Sequence, residues 1–170
     1  PVLAMEAEGR NMIPLALARY LGARTGWPVD TVVIQASVAS RTRQDGYYRL
    51  AIQPLFDGRV QPLFAYIMVD DFLGQGATLA NLRGHILRQG GRVVGATALT
   101  GRPASAILGL SASTLATLRD VHGQDLENWW RQVFGFGFDR LTESEARYLI
   151  RRTDAHRIRA EILARFGTAR

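Results

Sequence analysis

Apolar residues fall in short runs separated by polar turns and amphipathic stretches, the pattern of alternating strands and helices. Tyr66–Val69 is an apolar run with a β-branched centre, short enough for one buried strand. Asp70 and Asp71 stand at its C-terminal end, a turn with Gly74 and Gly76 follows, and Thr78 opens an amphipathic helix. Its apolar face is Leu79, Leu82, Ile86 and Leu87, with His85 on the polar side. Gln89-Gly90-Gly91 ends that helix, and Val93–Leu99 predicts another buried strand. Together these make a strand–loop–helix–strand unit of about thirty residues, the crossover of a parallel sheet.

A similar unit opens the chain. Val2–Met5 reads as a strand, Glu8–Asn11 as its exit loop, and Ile13–Gly22 as a helix with Pro14 in its first turn and Gly22 or Gly26 near its end. Thr31–Gln35 predicts the next strand. Leu50–Gln53 and Val60–Phe64 read as the two sides of a hairpin arm that turns at Asp57-Gly58. Further on, Ser111 caps a helix running to Leu118. Thr142 and Glu145 form a capping box for a long helix that bends near Thr153-Asp154 and continues from Ile158 to Phe166. The expected fold is α/β: a core over residues 1–110 and a mainly helical C-terminal hood or tail over 111–170.

Length and composition narrow the class. The 170 residues suffice for a full core, and 47% hydrophobic with 21% charged residues is the balance of a soluble globular chain. No apolar run reaches eighteen residues, so the reading has no membrane partner and a cytoplasmic location. The absence of cysteine excludes disulfides, thiolate metal sites and a cysteine nucleophile. Net charge is +6, and all 21 basic residues are arginine. That charge suits a phosphate-rich ligand and equally suits nucleic acid. The three histidines, His85, His122 and His156, have no metal-ligand spacing and read as structural or surface residues.

The glycine loop after the acid pair carries the chemistry. In an open parallel sheet, ligands bind at the carboxyl ends of strands, where the N–H groups and dipole of the next helix favour an anion. Two aspartates repel that anion, but carboxylates accept hydrogen bonds from vicinal hydroxyls. The combination points to a ribose 5-phosphate, with hydroxyls on Asp70 and Asp71 and phosphate on Gly74, Gln75, Gly76, Ala77, Thr78 and Leu79. A dinucleotide fingerprint would need a third glycine where Leu79 stands, and a P-loop needs a lysine that the chain lacks.

The stretch Val69–Leu79, VDDFLGQGATL, resembles the phosphoribosyl-pyrophosphate motif of type I phosphoribosyltransferases, with Gly74 and Gln75 where that family usually carries threonines. The resemblance implies an open parallel sheet with flanking helices and a glycosyltransferase (pentosyltransferase) activity. In that chemistry a 5-phosphoribosyl group moves between pyrophosphate and a nitrogenous base, in nucleotide metabolism. It implies Asp70 and Asp71 as catalytic residues holding the ribose, and Mg2+ as cofactor, touched by the two aspartates only through ribose hydroxyls or water. Glu8, Gly9, Arg10 and Asn11 take the place of the pyrophosphate loop. Arg41 and Arg43 lie where the family keeps its mobile catalytic loop, with an electrostatic role. Phe136 and Asp139, in VFGFGFD, match faintly the aromatic strand beside the base.

The partners this implies are phosphoribosyl pyrophosphate or a nucleotide, with room for a homodimer. An alternative keeps the fold without catalysis. A regulator, or a domain of a larger protein, would sense a nucleotide or phosphoribosyl pyrophosphate and contact nucleic acid through its arginines. Pro1 as first residue and the arginine-rich C-terminal helix (Arg151, Arg152, Arg157, Arg159 and Arg165) fit that alternative.

Overall fold

The structure is a computed structural model that describes residues 1–6, 9–37, 45–102, 105 and 107–168. Glu8, Arg41 and Arg43 lie outside the described residues. The fold is α/β, with six helices and three two-stranded ladders among the described residues. The chain divides into two compact units. Unit 1 comprises residues 1–42, 53–74 and 78–102, and unit 2 comprises 43–52, 75–77 and 103–170.

Unit 1 holds every ladder. Strands β1 (Met5–Glu6) and β2 (Gly9–Arg10) pair antiparallel and lead into helix α1 (Ile13–Thr25). Helix α1 has Pro14 in its first turn and ends on Gly26, whose φ of 75° is a left-handed cap. Strand β3 (Ile34–Gln35) pairs antiparallel with β4 (Phe56–Asp57). The long strands β5 (Ala65–Leu73) and β6 (Arg92–Gly101) pair in parallel through helix α3 (Ala77–Arg88). That is the expected crossover. No continuous open sheet forms among the described residues; single bonds link the ladders instead. The Val2 N–H donates to Val69 O at 2.7 Å and the Gln35 N–H to Leu3 O at 2.8 Å, beside a parallel bridge between Ala4 and Gln35.

Two local readings are corrected here. Asp57-Gly58 is not a hairpin turn, because Phe56–Asp57 pairs back with Ile34–Gln35 rather than with the residues after it. Gly58, at φ 106°, passes so near Val32 that a Cβ would stand 2.3 Å from its carbonyl oxygen. His85 is not on a polar face. It is buried against Gly58 O, which also receives a bond from Gln89 Nε2 at 2.9 Å, so the end of α3 anchors the glycine loop.

Unit 2 is helical. Helix α2 (Gly46–Ala51) replaces the first side of the expected arm. Asp45 caps it by accepting the Tyr48 N–H at 2.7 Å, and Tyr47, Leu50 and Ala51 fall at helical spacing into the core. Helix α4 (Ala112–Phe134) starts on Ser111 and breaks at Gly123, whose φ and ψ of 67° and 178° leave the helical region. Helix α5 (Glu143–Ile150) carries the expected capping box of Thr142 and Glu145, and after the break α6 (Ala155–Thr168) completes the unit. The core joins Leu50, Leu118, Leu126, Trp130, Phe138, Leu149, Ile158 and Ile162, each fully buried. Each contributes roughly 1.5–3 kcal/mol of burial.

Candidate functional site

Strand β5 extends through the acid pair rather than stopping before it. Asp70 stands opposite Ala98 in the ladder, and Phe72 and Leu73 continue the pairing. Successive strand residues project to opposite faces, so the two carboxylates start from different sides of the sheet. Asp70 bends back along the strand, where its Oδ1 accepts the Asp71 N–H at 2.9 Å. It is 6% exposed. Burial pushes its carboxyl up to about 7, the Asp71 N–H opposes that rise, and the neighbouring Asp71 carboxylate adds to it. Near neutral pH, Asp70 therefore offers either a donor or an acceptor.

Asp71 is half-buried and has a side-chain partner sixty residues away. Asn11 Nδ2 donates to Asp71 Oδ2 at 2.8 Å, while Asn11 Oδ1 accepts the Ile13 N–H at 3.1 Å. One amide thus ties the start of α1 to the acid pair. Asn11 was expected to grip a pyrophosphate; its bond to Asp71 is a contact that no local sequence signal announces. Gly9, at φ 120°, and the exposed Arg10 form β2. Among the described residues neither Asp70 nor Asp71 makes an ion pair.

The glycine loop is divided. Gly74, Thr78 and Leu79 belong to unit 1, and Leu79 is buried there. Gln75, Gly76 and Ala77 belong to unit 2, where Thr142 Oγ1 donates to Gln75 O at 2.6 Å and a Cβ on Gly76 would stand 2.7 Å from Leu108. Gln75 and Gly76 thus take part in the packing of unit 2.

The expected aromatic strand beside the base does not form. Residues 135–137 turn, and Phe138–Arg140 form a 3-10 helix instead of a strand. Phe136 stacks on Phe134 against the unit 2 core, and Asp139 is an exposed partner of Arg140 at 3.3 Å. Among the described residues no three acidic or histidine groups gather at one point. Much of the C-terminal arginine charge is likewise spent within unit 2. Arg147 pairs with Glu143, Arg157 and Arg165 with Glu161, and Arg165 also with Asp45, while Arg152 lies 3.7 Å from the Tyr148 ring centre.

The chain is 40% identical to Protein TraN of Escherichia coli over 164 residues, which is 96% of this chain and 37% of TraN. An uncharacterized protein of Haemophilus influenzae (strain ATCC 51907 / DSM 11121 / KW20 / Rd) is 46% identical over 89 residues, 52% of this chain and 20% of that protein. The chain therefore spans little more than a third of the first relative and a fifth of the second. No family model matches it, and no solved structure matches it. The phosphoribosyltransferase reading falls here. A similarity to TraN along nearly the whole chain overturns phosphoribosyl transfer, the pentosyltransferase class, the sensing regulator offered as its alternative, and a place in nucleotide metabolism.

Proposed function

We propose that unit 1 is a non-enzymatic binding module for a neutral polyhydroxylated ligand, whose adjacent hydroxyls donate to the acid pair. One observation carries this reading: Asp70 is buried beside a second carboxylate and, among the described residues, has no arginine partner, the Pro1 amino group offsetting its charge only in part. Hydroxyl donors on a ligand satisfy those oxygens and favour the ionised form. Asn11 holds Asp71 in place for them. The single bonds that set residues 2–4 between β5 and β3 support one shared parallel layer behind the site.

Calorimetric titration tests it with three neutral probes, ribose, glucose and glycerol. Binding of any probe is expected to weaken at least tenfold in Asp71→Asn while far-UV circular dichroism stays unchanged. Silence from all three probes, or equal affinity in Asp71→Asn, would overturn the assignment.

A further inference from the structure

Exposed large apolar side chains are distributed unevenly. Among the described residues fifteen of eighteen belong to unit 1, the exceptions being Ile107, Val121 and Leu163. Strand β6 is part of that surface. Among the described residues it pairs with β5 on one side only, and Val94 and Leu99 are 64% and 61% exposed. The Arg102 N–H donates to Leu73 O at 3.1 Å, so by strand alternation the even positions near it bond β5. Gly95, Thr97, Leu99 and Gly101 then turn their N–H and C=O groups outward.

Edges of this kind are normally blunted by charge, proline or a bulge. Residues 93–101, VVGATALTG, contain neither charge nor proline, and the one register shift lies at the start, opposite Tyr66 and Ile67. The charges lie at the two ends. Arg92 and Arg102, both exposed, bracket the uncharged edge roughly 30 Å apart. That bracket argues against a second copy. Antiparallel pairing centred on Thr97 would set Arg92 of one chain opposite Arg102 of the other at both ends, and like charges facing across a ladder repel.

We infer that β6 is a docking edge for an extended segment of a protein partner, apolar or β-branched along its middle and acidic at both ends. The segment adds a strand to the ladder through the outward backbone groups of residues 95–101, and its terminal carboxylates meet Arg92 and Arg102. Backbone bonds supply the affinity, while the two arginines set register and choice of partner.

A thirteen-residue peptide of alternating valine and threonine with two glutamates at each end tests this on the full chain, against the same peptide with lysines. By fluorescence anisotropy at low salt the glutamate peptide is expected to bind at least tenfold more tightly. The preference is expected to invert in the double variant Arg92→Glu, Arg102→Glu. Thr97→Pro, which removes one outward N–H and leaves the β5 bonds intact, is expected to abolish binding of both peptides. Amide exchange read by NMR should show Gly95, Thr97, Leu99 and Gly101 fast in the free protein and slow with peptide. Protection of those amides without peptide, a rise in their protection with protein concentration (which marks a second copy), or peptide affinities indifferent to the charge reversal would each overturn the inference.

Discussion

The two units treat buried carboxylates in opposite ways. In unit 2, Glu127 is 1% exposed on the side-chain scale and accepts from Arg119 at 2.8 and 3.0 Å, from Arg131 at 2.7 Å and from the Phe138 N–H at 3.3 Å. Its carboxyl is held below the usual range, with Arg119 the largest cause. Glu143 accepts the Ser111 N–H, the Thr114 hydroxyl at 2.6 Å and Arg147 at 2.8 Å. Those bonds outweigh burial and bring it down to about 2. In unit 1, Asp70 is equally inaccessible but meets a second acid and a backbone N–H, and it is driven up to about 7. Carboxylates that staple a fold are saturated with donors. A carboxylate left short of donors costs stability, and the proposed binding role rests on that cost.

Glu127→Ala should have the largest effect. It orphans the buried Phe138 N–H and releases two arginines, for an expected loss of about 3 kcal/mol in urea denaturation. A loss under about 0.5 kcal/mol would remove one side of the contrast. The opposite sign is expected for Asp70→Asn, which keeps an acceptor for the Asp71 N–H but removes the buried charge. In the folded chain Asp70 binds its proton up to about pH 7, against the ordinary value of 3.8 in the unfolded chain. The wild type therefore loses stability as pH rises from about 4 to about 7, by a few kcal/mol at most. Asp70→Asn should flatten that slope and stabilise the protein by about 2 kcal/mol at pH 8. A destabilised variant would make Asp70 a staple like Glu127. The smallest effect belongs to Glu143→Gln. Depressed from 4.5 to about 2, Glu143 adds stability above pH 4.5 that is lost as pH falls through that window. The glutamine variant should lack this acid-side slope in denaturation curves between pH 5 and 2.5, a difference of about 1 kcal/mol.

The same division governs what the sequence makes legible. The crossover from Ala65 to Gly101 follows from local period and glycine punctuation, and so do the caps of α1, α4 and α5. Asp70 and Asp71 stand out because two acids closing an apolar run are locally anomalous. Helix α2 did offer a signal, Asp45 followed by Tyr47, Leu50 and Ala51, but its core partners lie beyond residue 110 and only they decide between helix and strand. The bond from Asn11 to Asp71 spans sixty residues and has no local trace. Short-range propensity cannot carry such pairings, because tertiary burial sets them. The motif resemblance misled at the level of activity for a related reason. Six loop residues resemble a phosphate cradle, whereas Gln75 and Gly76 among them take part in the packing of unit 2.

The interleaving of the units also bears on synthesis. The chain delivers Tyr47, Leu50 and Ala51 to the unit 2 core long before Leu118, the first α4 residue of that core, leaves the ribosome. At a translation rate of roughly 5–20 residues per second, that apolar face waits several seconds for cover. Helix α2 is too short to persist alone over such an interval, so the segment from 45 to 52 is where a chaperone or a protease would first meet the nascent chain.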